Sequence, residues 1–249
     1  MSRLGPLLLF IALVASWEAA CVLLQVPTLV APRPGEVALV LWQELASGRM
    51  LRHFAVTAGE MLLGLALAVA FGLAAGVALA ESPTLRRYAQ PYLVATQVIP
   101  KLALAPLFLL WFGFGMRSIV IITALVCFFP LLENTVTGLD RAGPGQRELF
   151  RMLRAGRLQT LLRLKFPAGL PVILAGFRVA VVLSLVGAVV GEFIMGREGL
   201  GASVVAAQGM MDTPLMFALF VAITALGSAV YQAALLLERR LLHRKDLAP

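Results

Sequence analysis

The residues of this chain that could do chemistry are a few polar and charged side chains inside stretches that are otherwise apolar. Lys101 follows Pro100 in one such stretch, Glu133 and Asn134 adjoin each other in the next, and Glu192 lies in a later one. A charge at the centre of a bilayer costs about 2.5–3.5 kcal/mol on insertion scales, so such residues often mark a substrate or ion pathway. We predict these five residues as candidates for a translocation pathway, with Lys101 and Glu192 lying near one another or in the same aqueous pathway. The alternative for Lys101 is snorkelling toward an interface or a structural ion pair.

The sequence contains no motif of an ATP-binding loop or of a hydrolase active site. It has no G-x-x-x-x-G-K-[ST] phosphate loop, no H-E-x-x-H zinc pair and no G-x-S-x-G elbow, and His53 and His243 stand alone. Basic residues are not interleaved with aromatic ones, as single-strand nucleic-acid binding requires. We therefore predict no catalytic residue, no metal site, no cofactor and no nucleic-acid partner for this chain, so the energy for transport comes from elsewhere.

Composition places these residues in a membrane. The 249 residues are 60% hydrophobic and 14% charged, with a mean hydropathy of +0.91, whereas soluble domains are roughly 25% charged. Helical spans of about 20 apolar residues are predicted at 6–24, 57–80, 89–112, 117–139, 171–195 and 213–237. The predicted fold class is all-α, a single polytopic transmembrane domain covering residues 1–249 with about six transmembrane helices.

Basic residues are concentrated on one side of these spans. By this assignment 14 of the 21 Lys/Arg residues lie on the side that also carries both termini. An excess of Lys and Arg marks cytoplasmic loops. The longest basic segment is the predicted cytoplasmic loop 140–170, which contains Arg141, Arg147, Arg151, Arg154, Arg157, Arg163 and Lys165. We therefore predict that both termini face the cytoplasm and that the loop binds a cytosolic partner.

The loop has the pattern of two short amphipathic helices. From Glu148 to Ala155 the apolar residues share one face and the arginines another, at spacings of three to four. Gly156 separates this helix from a second one over Arg157–Phe166, and Pro167 and Pro171 are predicted to end the second helix and to start the fifth span. The pattern predicts a helix-turn-helix at the membrane surface. Adsorption to anionic lipid is the alternative interpretation.

Proline and glycine positions predict how the spans bend and pack. Pro91, Pro100 and Pro106 interrupt the third span, and each removes a backbone donor, so we expect this helix to be bent. Gly72 and Gly76 form a GxxxG step in the second span. Such a step allows close helix approach. Packing within the chain is favoured over a subunit contact.

Together these residues resemble a known family. Glu148, Gly156 and Leu164-Lys165-Phe166-Pro167 look like the EAA loop of bacterial ABC importer permeases. The segments Pro100–Phe108, Trp111–Gly115, Phe128–Pro130 and Gly187–Phe193 are similar to the nitrate/sulfonate/taurine/pyrimidine-precursor permease subfamily. The resemblance covers nearly all of the chain. Within the subfamily, the Pro-Lys and Gly-Glu-Phe segments look most like permeases for thiamine-pyrimidine precursors and riboflavin.

The resemblance implies a fold, partners and a docking site. It implies a type I ABC importer permease of the bacterial inner membrane, acting as a homodimer with two ATPase subunits that hold ATP and Mg, and with an extracytoplasmic solute-binding protein. The solute is not determined by the sequence. The runner-up interpretation is an ion-coupled secondary carrier or channel. The residues implied to dock the ATPase are Glu148, Leu149, Phe150, Arg151, Leu153, Arg154, Gly156, Arg157, Phe166 and Pro167.

Two positions depart from the family pattern. Leu149 and Phe150 occupy the places of the two alanines, and Arg154 occupies the place of the glycine. A residue other than glycine is disfavoured at positive φ. We therefore predict that the turn has moved to Gly156 and that Arg154 is helical, with its guanidinium directed toward the ATPase.

Overall fold

The computed structural model describes residues 4–243, and every regular element in that range is helical, which confirms the all-α prediction. The two ends of the predicted domain, 1–3 and 244–249, lie outside the described residues. The α-helices are α1 Leu4–Leu23, α2 Pro34–Ala46, α3 Arg49–Glu81, α4 Pro83–Val98, α5 Ala105–Phe112, α6 Met116–Asp140, α7 Pro144–Met152, α8 Arg157–Thr160, α9 Phe166–Met195, α10 Leu200–Gly209 and α11 Thr213–His243. A 3-10 turn at Lys101–Leu104 precedes α5, and a π-helical turn at Leu161–Lys165 joins α8 to α9.

Four helices within residues 4–243 are long and apolar enough to cross a membrane. They are Arg49–Glu81, Met116–Asp140, Arg157–Met195 and Thr213–Leu242, and the bent pair of α4 and the segment Lys101–Phe112 would make a fifth. The apolar part of the first predicted span, Leu8–Leu23, is shorter. The predicted count of six spans is therefore not confirmed, whereas the multi-pass helical architecture is.

The third predicted span is broken, as its prolines indicated. Its two halves meet at an angle of 81°. The break falls at Ile99, whose backbone is extended at φ −67° and ψ 123°. Pro100 disfavours a helical conformation at the residue before it and cannot donate a helical hydrogen bond. The bend therefore follows from local chemistry.

The core of the molecule is the packing of α3 and α9 on α6. The GxxxG step of α3 lies against α6: a Cβ added at Gly72 would be 2.8 Å from Cβ of Leu131, and one at Gly76 would be 2.5 Å from Cβ of Thr135. Real Cβ atoms do not approach so closely, so both positions require glycine. Packing within the chain, favoured from the sequence, is confirmed for this step.

Candidate docking and translocation sites

The loop between α6 and α9 presents apolar side chains to its surroundings. Leu149 is 50% exposed, Met152 72%, Leu153 67% and Leu158 66%. Glu148, Arg151 and Arg157 are exposed beside them, and Phe150, Phe166 and Pro167 are half-buried at the base of the loop. Contiguous exposed apolar surface rimmed by charge is typical of a protein–protein contact. We call the exposed side chains of this loop the docking surface, after their predicted role: Glu148, Leu149, Arg151, Met152, Leu153, Arg154, Arg157 and Leu158.

Arg154 is not helical, and the prediction for this turn is wrong. Its φ is +53°. The N–H of Arg154 donates to the carbonyl of Arg151 at 2.9 Å, and the N–H of Ala155 donates to the carbonyl of Phe150 at 3.0 Å. This pair of bonds is the Schellman motif, in which a left-handed residue closes a helix and glycine is usual. The turn has therefore stayed at position 154, where the bonds that close α7 hold the arginine at positive φ.

Gly156 does not take over the turn. Its backbone is extended, at φ −65° and ψ 163°, and it precedes α8. A Cβ added there would meet no atom of the described residues within 4 Å, so this position does not require glycine. Its N–H donates to Oε1 of Gln159 at 3.1 Å, which satisfies one free donor at the start of α8.

The second half of the loop is continuous with the fifth span. α8, the π-helical turn and α9 form one helical run, Arg157–Met195, so the prediction that Pro167 separates a short helix from the span is wrong. The N–H of Phe166 bonds to the carbonyl of Leu161, five residues earlier. Pro167 directly follows this wider turn, where the regular i→i−4 ladder is already interrupted, so its missing N–H does not end the helix. The docking surface is therefore attached to a span without a flexible joint after Arg157.

Two ion pairs tie the loop to the corner between α3 and α4. Nζ of Lys165 lies 2.7 Å from Oε1 of Glu81, and Nη1 of Arg86 lies 2.6 Å from Oδ2 of Asp140. Asp140 ends α6 just before the loop, and Lys165 lies near the loop's other end. Both ends of the loop thus contact the same corner. The sequence did not predict these two ion pairs, because opposite charges far apart in the chain carry no pairing signal.

A cavity of about 590 Å³ opens at the break of the third span. Pro100, Lys101, Glu133 and Asn134 line it, which brings together four of the five predicted pathway residues. Nζ of Lys101 lies 4.6 Å from the ring centroid of Phe129. The Glu133 carboxylate accepts a hydrogen bond from the Gln97 amide. The cavity therefore offers one cation, one anion, two amides and an aromatic face, since Gln97 and Phe129 also line it.

Glu192 does not line this cavity, and no ion pair joins it to Lys101 within residues 4–243, so the predicted pairing of the two is wrong. Glu192 is 1% exposed, and its Oε2 accepts the N–H of Gly201 at 2.5 Å. Its carboxyl group also contacts that of Glu60, which is 2% exposed. Glu60 lies within the second predicted span, so the insertion cost that identified Lys101 could have identified it as well.

The chain is similar to known transport proteins along most of its length. The family described as binding-protein-dependent transport system inner membrane component matches residues 68–243. The riboflavin transport system permease protein RibX of Chloroflexus aurantiacus is 40% identical over 241 residues, 96% of this chain and 89% of that protein. The formylaminopyrimidine transport permease protein ThiX of Halalkalibacterium halodurans is 35% identical over 240 residues, 96% of this chain and 95% of that protein.

The fold is shared with a solved transporter. An inward-facing structure of the MetNI methionine ABC transporter aligns with a TM-score of 0.61 at 16% identity, covering 77% of this chain and 98% of that one. At this identity the likeness concerns the fold alone, and it confirms the predicted permease fold. Because the family match and both relatives cover most of the chain, this protein belongs to the inner membrane components of binding-protein-dependent transport systems, non-catalytic permease subunits whose ATPase is a separate subunit.

Proposed function

We propose that this protein is the permease of an ABC importer for a flat, polar heterocycle of the pyrimidine or riboflavin type. In this proposal two copies form the membrane domain, and two ATPase subunits bind ATP and Mg²⁺ on the cytoplasmic side. An extracytoplasmic binding protein delivers the solute. In this proposal both termini face the cytoplasm, because 14 of the 21 Lys/Arg residues lie on the side of the termini in the six-span assignment, and an excess of Lys and Arg is typical of the cytoplasmic side.

The exposed docking surface is the observation that carries the importer mechanism. Four leucine or methionine side chains are at least half exposed on this loop, which is rich in basic residues, unlike a segment that faces lipid. Burying such residues against a partner is favourable by about 25 cal/mol per Å² of apolar area. The loop is also stiff, because it is closed by the Schellman bonds at one turn and is continuous with α9 at the other. Movement of an ATPase bound there would therefore be transmitted to the spans.

The uncovered face of α4 and α5 supports a second copy in the membrane. None of the residues of α4 is buried, and Tyr92, Val98 and Leu110 are each more than 70% exposed. The cavity at Lys101 opens beside this face. In the proposed dimer the two faces meet around a shared pathway, and each copy supplies one Lys101 and one Glu133.

The balance of charge in the cavity supports the solute class. Lys101 and Glu133 contribute opposite charges, and the Lys101 ammonium lies over the Phe129 ring. A site for a sulfonate or nitrate anion would be expected to carry net positive charge. The cavity combines amide groups, one positive and one negative side chain, and an aromatic ring. Such a site suits a neutral heterocycle with hydrogen-bond donors and acceptors at its edge. The 40% and 35% identical relatives are named for riboflavin and formylaminopyrimidine transport.

The test is uptake by the complete importer reconstituted in vesicles. The purified binding protein is first screened against riboflavin, formylaminopyrimidine, taurine and nitrate, and the vesicles are then loaded internally with ATP. We expect uptake of a heterocycle that requires both the binding protein and ATP and is insensitive to collapse of ion gradients. Uptake driven by a proton or sodium gradient without ATP would refute the importer mechanism. ATP-driven uptake of taurine or nitrate alone would refute the solute class and leave the mechanism standing.

A further inference from the structure

We propose that Glu60 and Glu192 share a single proton, and that this proton-bridged pair holds the connection between α9 and α11, residues 196–212, against α3. The proposal does not depend on the identity of the solute or on the docking surface. It concerns a buried polar cluster separate from the cavity at Lys101, since neither carboxyl group lines that cavity.

The connection is joined to α3 by a series of polar contacts in register. Nη2 of Arg52 lies 2.5 Å from Oε1 of Glu198. Next along both segments, the N–H of Gly199 donates to Nδ1 of His53 at 3.2 Å, and the N–H of Leu200 donates to Oγ1 of Thr57 at 2.8 Å. The bond from Gly201 to Glu192 and the contact of Glu192 with Glu60 complete the series. The carboxyl pair is therefore its innermost member.

The two carboxyl groups have no cation beside them in the described part of the chain. Within residues 4–243, neither Glu60 nor Glu192 has a Lys, Arg or His nitrogen within 4.0 Å. Oε2 of Glu60 and Oε1 of Glu192 are buried and receive no hydrogen bond from a donor in that range. Two carboxylates in contact in a buried site cannot both be ionised. One proton placed between them satisfies both groups and removes the repulsion.

The hydrogen bonds identify which carboxyl keeps the proton. Glu192 accepts the backbone N–H of Gly201, in the first turn of the ten-residue helix α10. A negative charge is stabilised at the N-terminus of a helix and by N–H donors. Oε2 of Glu60 receives no such bond from the described residues. Glu192 is therefore the carboxylate, and Glu60 is the protonated acid that donates to it.

Glycine at position 201 makes this geometry possible. A Cβ there would lie 2.7 Å from the carbonyl oxygen of Val189 and 2.8 Å from Oε2 of Glu192. The carboxylate thus lies directly against the backbone of α10. Glu60 acts on the connection through Glu192, so it is a positioning residue.

The first test is infrared spectroscopy of the purified full-length protein in lipid, with ¹³C-labelled glutamate to assign the bands. We expect a protonated carboxylic acid C=O band at neutral pH in the wild type and its loss in Glu60→Gln. Glu36→Gln, on α2, is the matched control and should keep the band. Absence of the band in the wild type would mean that both groups are ionised, for instance around a bound cation, and would overturn the proposal.

The second test is hydrogen exchange of residues 199–209. The amide introduced by Glu60→Gln can donate to Glu192 as the acid does, so exchange in this variant should stay within about threefold of wild type. Glu60→Leu removes the donor, and leaving a buried acceptor unsatisfied costs about 1–3 kcal/mol. Exchange should then rise by about fivefold or more. If Glu60→Gln loosens the connection as much as Glu60→Leu, a shared proton is refuted. If Glu60→Leu does not fold, the infrared comparison with Glu60→Gln still decides.

Discussion

Leu153 provides the sharpest test of the docking surface. Its side chain is 67% exposed in the isolated protein, and it directly precedes the left-handed turn at Arg154. Full burial of a leucine side chain contributes about 1.5–3 kcal/mol. If the ATPase covers the exposed two-thirds, Leu153→Ala should weaken ATPase binding by about 1–2 kcal/mol. Since 1.4 kcal/mol is a factor of ten, the dissociation constant should rise by about 5- to 30-fold.

The assay is titration of the purified ATPase subunit onto the permease in lipid nanodiscs. Leu39→Ala is the matched control, because Leu39 is 58% exposed on α2, away from the loop. We expect no change in ATPase affinity for the control. An affinity for Leu153→Ala within twofold of wild type would show that the ATPase does not cover this side chain. Equal losses in both variants would point to a general loss of permease stability instead.

Four further predictions concern packing, coupling, the turn and the pathway. Gly76→Val should destabilise the protein by about 1–3 kcal/mol through overpacking against α6, seen as a lower unfolding temperature, and an unchanged temperature would contradict the packing described. Lys165→Glu should uncouple ATP hydrolysis from uptake, and adding Glu81→Lys should restore the coupling. If the losses of the two single variants add in the double variant, the ion pair between residues 81 and 165 does not contribute to coupling. Arg154→Gly should give a loop that is more stable than in Arg154→Ala by about 1 kcal/mol, because alanine keeps the strain of the left-handed conformation. Hydrogen exchange of the loop amides measures this difference. ATPase affinity should fall equally in both variants if the guanidinium pairs with a carboxylate. Lys101→Gln should reduce uptake with ATPase affinity unchanged, and normal uptake would exclude this side chain from the pathway.

Much of the architecture follows from local chemistry and was therefore predictable. The break of the third span depends on Pro100 and its effect on the preceding residue. The contact at Gly76 follows from the absence of a side chain, which permits close helix approach. The basic loop was identified from its composition alone. In each case the information lies within a few residues.

The turn of the docking loop shows where local rules are insufficient. An arginine at positive φ is disfavoured by about 1–2 kcal/mol, and on that ground the turn was expected at Gly156. The two hydrogen bonds that close α7 offset this cost and keep the left-handed residue at position 154. The preference of Arg154 for negative φ was therefore outweighed by the backbone hydrogen bonds of the turn.

By itself, the sequence determined the fold class, the family, the broken span and the exposed basic loop, because hydrophobic runs, prolines and charge clusters act over short distances. Only the tertiary structure decided the partners of the charged residues within the predicted spans. Lys101 lies over Phe129 beside Glu133, and Glu192 lies against Glu60 and the N-terminus of α10. The cost of a charge in a membrane predicts that it must have a partner, but which partner depends on how helices distant in the chain are brought into register.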